Sequence, residues 1–341
     1  MRCLTLADEL RRHGAEVVFV CAELTGPLAD RIIAAGHGLE RIDPASAAPP
    51  PGISWDSAVM GAAAQRLDAQ RTLAVLGGRQ PNWVIVDHYR LDREWDAATR
   101  SGAARVAVID DLANRPHDCD LLHDQTVGRD AAEYRPLVPE AAELLVGSHY
   151  ALLRPEFEQA RPQALERRGK GGPVRRILVS LGLTDVGGMT PDALEQTLAG
   201  APDVAIDVVL GSAAPSLHKV KDLVAEHPRV ALHVDSTQMA SLMLSADLAI
   251  GAAGTSSWER CCLGLPTVTL VLAPNQGAIA EKLADAGAVH RPDAPGADGV
   301  GDAVRRLLTD EAYRSAIADN ALRVCDGGGT RRVAERLLAP R

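Results

Sequence analysis

Short β-branched runs alternate with longer helical patterns along almost the whole chain. That alternation restricts the fold to parallel sheets joined by crossover helices, an α/β class. Val17-Val-Phe-Val-Cys21, Trp83-Val-Ile-Val86, Arg105-Val-Ala-Val-Ile109 and residues 119–123 form a first series of strand candidates. Residues 177–181, 205–210, 230–234, 248–250 and 267–272 form a second. Helical patterns lie between them, such as residues 4–13, with Leu4, Leu6, Ala7 and Leu10 on an apolar spacing stopped by Gly14, and residues 54–76, rich in Ala and Arg. Pro49-Pro50-Pro51 marks a rigid loop, and residues 331–338 close the chain as an amphipathic helix after Gly327-Gly328-Gly329.

A chain of 341 residues can hold two domains, each with its own core. Between 161 and 176 the composition turns to Pro, Arg, Lys and Gly, with almost nothing to bury, so these residues are expected to link two Rossmann-like domains. The first is expected over 1–160 and the second over 177–325, with a terminal segment 326–341 packing back on the first. Aromatic residues are only 3% of the chain, which leaves Ala, Val and Leu to fill both cores. A net charge of −9 argues against a nucleic-acid surface, and no apolar run approaches the ~20 residues of a membrane span. The segment 1–8 lacks the basic-then-apolar layout of a signal peptide. Six cysteines without metal-ligand spacing read as reduced thiols, which gives the expectation of a cytoplasmic protein with no metal and no cofactor.

Two doubly wound domains facing each other place ligands in the cleft, at the carboxyl ends of their strands. Four clusters fall at such ends: Asp87-His88-Tyr89, Gly182 to Asp185, Gly251 to Glu259, and Ala273 to Gln276. The third is the most informative. Small residues through Gly254 precede Thr255, Ser256 and Ser257, all good N-cap types, and Gly264 follows the helix they open. Unpaired N–H groups there suit a diphosphate, and Glu259, one turn on, suits a ribose diol. An ordinary capped crossover has the same spacing. Asp110-Asp111 makes a poor metal pair, because adjacent residues of an extended chain point to opposite faces. His88 reads as structural, and Asp118 with Asp120 lacks any partner that completes a metal site.

With these residues in view, the chain resembles the UDP-sugar hydrolases of pseudaminic acid biosynthesis, relatives of glycosyltransferases with the two-domain GT-B architecture. The resemblance is carried by Met1-Arg-Cys-Leu-Thr-Leu-Ala7, Val86-Asp-His-Tyr89, Ile109-Asp-Asp-Leu-Ala113 with Asp118-Cys-Asp120, and Tyr150-Ala-Leu-Leu-Arg-Pro-Glu156. Gly254-Thr-Ser-Ser-Trp-Glu-Arg-Cys-Cys-Leu-Gly-Leu-Pro266, Asn275-Gln276 and Cys325-Asp-Gly327 continue it in the same order. It implies hydrolysis of UDP-2,4-diacetamido-2,4,6-trideoxy-altrose to UDP and free sugar by water attack at the anomeric carbon. In that reading Gly254, Thr255, Ser256 and Ser257 hold pyrophosphate and Glu259 holds ribose. Tyr89 and Asn275, with Gln276, position the sugar and the water, and Arg2 reaches a substrate oxygen.

Two departures temper the expectation. The family opens with a strand, a glycine turn and a general-base histidine ahead of the Met-Arg-Cys stretch, whereas here that stretch begins at Met1. The resemblance therefore implies a first domain without its first strand and a chain that turns over weakly. In Ser180-Leu-Gly-Leu-Thr-Asp-Val-Gly-Gly188, Leu183 stands where the family has a glycine and Gly187-Gly188 where it has amides. Gly182 and Thr184 remain to approach a phosphate, so the departure bears on the sugar more than on UDP. A GT-B glycosyltransferase using a UDP-sugar donor, or a non-catalytic nucleotide-sugar binder, fits the same residues, and the oligomeric state is left open.

Overall fold

The computed structural model of the protein describes residues 1–22, 27–44, 59–294 and 296–340, with the side chains of residues 27, 186 and 275 outside that description. The loop expected at 49–51 and the start of the helix expected at 54–76 lie outside the described residues. The chain divides into two compact units, Met1–Leu152 with Gly328–Arg341, and Leu153–Gly327.

The first unit contains β1 (Val18–Cys21) and β2 (Gly38–Arg41), a parallel pair. It also contains β3 (Trp83–Val86), β4 (Arg105–Ile109), β5 (Leu121–Asp124) and β6 (Glu143–Val146), a parallel sheet in that order. Strands β1 and β3 do not pair with each other, so each keeps one edge without a ladder partner among the described residues. Both faces of the four-stranded sheet are covered, as a parallel sheet requires. Alternation along β4 sends Val106 and Val108 into one core with Trp95, Leu122 and Tyr134. Ala107 and Ile109 face the other, with Leu6 and Leu10 of the helix Arg2–Arg12 and Val333, Ala334 and Leu337 of the helix Gly329–Leu338. That last helix belongs to the first unit although it comes last in sequence. Its return demands a glycine, because a Cβ on Gly329 would stand 2.4 Å from the Ala151 carbonyl oxygen.

The second unit contains β7 (Arg176–Ser180), β8 (Ala205–Leu210), β9 (Val230–Val234), β10 (Leu248–Ala252) and β11 (Thr267–Leu270), all parallel. Their spatial order is β9-β8-β7-β10-β11, so the direction of winding reverses between β7 and β10. In open α/β sheets that switch point is where loops part and a ligand can enter.

The expected linker is not one. Residues 161–169 continue the helix Pro155–Gly169 through Pro162, and the first boundary falls at 152 rather than 160. The arginines that made this stretch look solvated bond backbone carbonyls instead. Arg161 donates to the carbonyls of Cys262 (2.6 Å), Cys325 (2.7 Å) and Leu322 (2.8 Å). Arg168 donates to those of Ala246 (2.7 Å) and Met243 (3.0 Å). Helix ends leave carbonyls without intrahelical partners, and a guanidinium can serve several at once.

Candidate functional site

The switch point of the second unit gathers three of the four clusters singled out in the sequence. Ser180 of β7 pairs in register with Gly251 of β10, and Ala252 of β10 with Leu270 of β11. The loops leaving these strands begin at Leu181, Ala253 and Val271, and they carry Gly182 and Thr184, Gly254 to Ser257, and Asn275 and Gln276, respectively.

The loop after β10 opens the helix Ser256–Cys262 with Thr255 at the N-cap, whose side chain makes no capping bond. The backbone N–H groups of Gly254 and Thr255 have no acceptor among the described residues. Ser256 is half-buried and Ser257 buried. One turn on, Glu259 accepts from Arg154 through Oε1 at 3.4 Å, and 18% of its side chain is exposed. Burial raises the Glu259 carboxyl above its ordinary value, with the Arg154 guanidinium opposing. Arg154, which also lies 2.9 Å from Glu156, was carried in the sequence only as part of Arg154-Pro-Glu156 and given no role.

The loop after β7 has a more structural character than the sequence indicated. Gly182 takes φ +110°, and Thr184 is exposed. Asp185, in the left-handed region at φ 42°, turns its buried carboxylate inward to the Thr190 N–H (3.1 Å), the Thr190 hydroxyl (2.7 Å) and the Ser216 hydroxyl. Beyond β11, the Gln276 side-chain oxygen accepts the Leu272 N–H at 2.9 Å. Residue 275 lies in the short helical turn Pro274–Gln276.

In the first unit Arg2 is committed to carboxylates. Its Nη2 and Nε reach Asp87 at 2.7 and 3.0 Å, and its Nη1 reaches Asp111 at 2.8 Å. This ties together the chain after β3 and the chain after β4, so Arg2 braces these strand ends and has no nitrogen left unpaired to seek a substrate. Burial alone would raise Asp87, but Arg2 and the Cys3 thiol hold it below the usual carboxylate range. Asp111 is raised by burial, with Arg2 opposing. Tyr89 donates to Asp111 at 3.2 Å, and burial beside that carboxylate pushes the phenol up to about 12, so it is a donor at neutral pH. His88 is kept neutral by burial and its Nδ1 accepts the Arg90 N–H at 3.1 Å, which leaves the proton on Nε2 and no free acceptor nitrogen. Asp118 and Asp120 both bind Arg100, as a brace and not a metal site. Among the described residues no group of three or more His, Cys, Asp or Glu could hold a metal ion.

No protein-family profile matches the chain. It is similar to the UDP-2,4-diacetamido-2,4,6-trideoxy-β-L-altropyranose hydrolase of Campylobacter jejuni, at 28% identity over 207 residues, 60% of this chain and 71% of that protein. It is also similar to the spore coat polysaccharide biosynthesis protein SpsG of Bacillus subtilis, at 33% identity over 149 residues. That match spans 42% of this chain and 41% of the length of SpsG. Among solved structures, MurG of Acinetobacter baumannii superposes with a TM-score of 0.65 at 16% identity, covering 98% of this chain and 94% of that one. UDP-GlcNAc 2-epimerase of Neisseria meningitidis, bound to UDP-GlcNAc, gives 0.66 at 14% identity, covering 99% and 96%. The fold is GT-B. The family resemblance seen in the sequence motifs therefore stands on two relatives matched over part of the chain.

Proposed function

We propose that this GT-B protein hydrolyses a UDP-sugar, with UDP-2,4-diacetamido-2,4,6-trideoxy-altrose as the substrate and pseudaminic acid biosynthesis as its setting. The observation that carries the reading is the convergence of Gly182–Thr184, Gly254–Ser257 and the 275–276 turn on adjacent carboxyl ends of β7, β10 and β11. The similarity to a protein named as that hydrolase supports the choice of substrate.

In this reading the free N–H groups of Gly254 and Thr255, with the hydroxyls of Thr255 and Ser256, take the negative charge that grows on UDP as the anomeric C–O bond breaks. Thr184 and the backbone at Gly182 approach the same phosphates. Glu259 accepts from the ribose hydroxyls. Water adds to the anomeric carbon, UDP leaves with the glycosidic oxygen, and a base accepts the proton released from the water. Tyr89 and Asn275, with the Gln276 amide, orient the sugar, and Arg2 holds Tyr89 in place through Asp111. The six cysteines are free, as suits a cytoplasmic setting, and among the described residues no helix is long and apolar enough to cross a membrane.

Incubation with the UDP-sugar tests the proposal. UDP and free sugar appearing together without an acceptor support hydrolysis. Release of UDP that depends on an acceptor indicates a transferase, and binding without turnover refutes the catalytic reading.

A further inference from the structure

Arg260 follows Glu259 in the sequence, yet no motif reading assigns it a task. The residue is 2% exposed, and no carboxylate forms an ion pair with it among the described residues. The guanidinium folds back beneath the loop that leaves β10. Nη2 donates to the Ala252 carbonyl at 2.7 Å and to the Ser257 hydroxyl at 3.1 Å, while Nη1 donates to the Ser256 hydroxyl at 3.1 Å. Nε is buried without a partner among the described residues. The strand makes room for it: a Cβ on Gly251 would lie 2.5 Å from Cζ and Nη1, so only glycine lets the guanidinium lie against β10.

Two consequences follow. A buried cation without a counter-ion is costly, and three neutral oxygens offset only part of that cost. The Glu259 carboxylate, one residue away, faces Arg154 instead. An anion arriving at the loop therefore meets a positive charge already fixed behind it. The second consequence is directional. Because the Ser256 oxygen accepts from the guanidinium, its own proton is turned away from Arg260, and that proton has no acceptor among the described residues. Accepting from a cation also polarises the O–H and makes it a stronger donor.

We propose that Arg260 is a positioning residue for a nucleoside diphosphate: it orients the Ser256 hydroxyl as a phosphate donor and supplies the buried charge behind it. The inference rests on the diphosphate reading of this loop given above and adds the residue that organises it. Arg260 touches no ligand itself.

The test titrates UDP and uridine into the full chain, as wild type, Arg260→Met, Arg260→Lys, Ser256→Ala and the Arg260→Met/Ser256→Ala pair. Arg260→Met and Ser256→Ala are each expected to weaken UDP by about 10-fold, the loss of one charge-assisted hydrogen bond, and to leave uridine within about 2-fold. The double variant is expected to bind UDP much as Arg260→Met does, since the two act through one bond. Arg260→Lys keeps the charge but not the fork and falls between. Equal loss of UDP and uridine, or a UDP-to-uridine ratio unchanged in Arg260→Met, overturns the proposal while leaving the diphosphate site standing. Failure of the wild type to bind UDP overturns both. If Arg260→Met does not fold, Arg260→Lys decides: a UDP-to-uridine ratio reduced at least about 3-fold supports the role, and a wild-type ratio refutes it.

Discussion

Replacing Glu259 by Gln isolates the ribose contact. The side chain keeps its volume, and Arg154 keeps its 2.9 Å partner Glu156, so the helix Ser256–Cys262 should hold its place. In the proposed complex, two ribose hydroxyls donate to a carboxylate of which, among the described residues, only Oε1 is engaged, weakly, by Arg154 at 3.4 Å. Hydrogen bonds to a charged group are worth about 1.5–3 kcal/mol each, and the amide retains one acceptor; the net loss is therefore about 2 kcal/mol, or roughly 30-fold in Kd. Uridine is the right probe because it carries no titrating phosphate. Burial raises the Glu259 carboxyl above its ordinary 4.5, so wild-type affinity for uridine falls as pH drops through a window above 4.5, while the Gln variant stays flat there. The same raised carboxyl favours the neutral form in the folded state, so its contribution to stability is present at low pH and lost as pH rises through that window. Calorimetric titration of uridine between pH 4.5 and 8 reads the affinity, and urea unfolding over the same range reads the stability. A Gln variant that binds uridine like wild type, or parallel pH profiles for the two proteins, would refute the assignment of Glu259 to the ribose.

Two further perturbations bear on the scaffold. His123, 1% exposed on β5, bonds the Tyr150 carbonyl through Nε2 at 2.8 Å, and burial pushes it down to about 4 from its ordinary 6.5. Its stability contribution, roughly 3 kcal/mol, is complete above pH 6.5 and lost as pH falls towards 4. His123→Gln should flatten that acid limb in urea unfolding, and unchanged curvature contradicts the account. Arg161→Met strips a shared donor from three carbonyls at two helix ends and should cost about 3 kcal/mol in thermal unfolding; a loss under about 0.5 kcal/mol would show that water replaces it freely.

Much of the architecture was legible because β-branched runs bounded by turn residues leave few alternatives. Trp83–Val86, Arg105–Ile109, Ala205–Leu210 and Val230–Val234 fall where their sequences place them. The short strands Gly38–Arg41 and Glu143–Val146 were not seen, since four residues containing Glu, with Arg or Gly in the first, carry little alternation. The helix Pro155–Gly169 was misread for a different reason. Arginine in a sequence looks like solvated charge, and nothing local announces that its partners are carbonyls about 80 to 160 residues away. The same blindness hid Arg260 and Arg154, whose surroundings depend on β10 and on the helix after Leu153. Arg2 was visible as a polar residue near the strand ends, but its two carboxylate partners come from separate loops, so only the fold shows that it braces Asp87 and Asp111.

Amide hydrogen exchange with and without UDP tests the central claim most directly. The Gly254 and Thr255 amides, which have no acceptor among the described residues, should exchange fast in the free protein and become protected when UDP binds, together with the 182–184 loop. Unchanged exchange at 254 and 255 under saturating UDP, with protection appearing elsewhere or nowhere, would contradict the account.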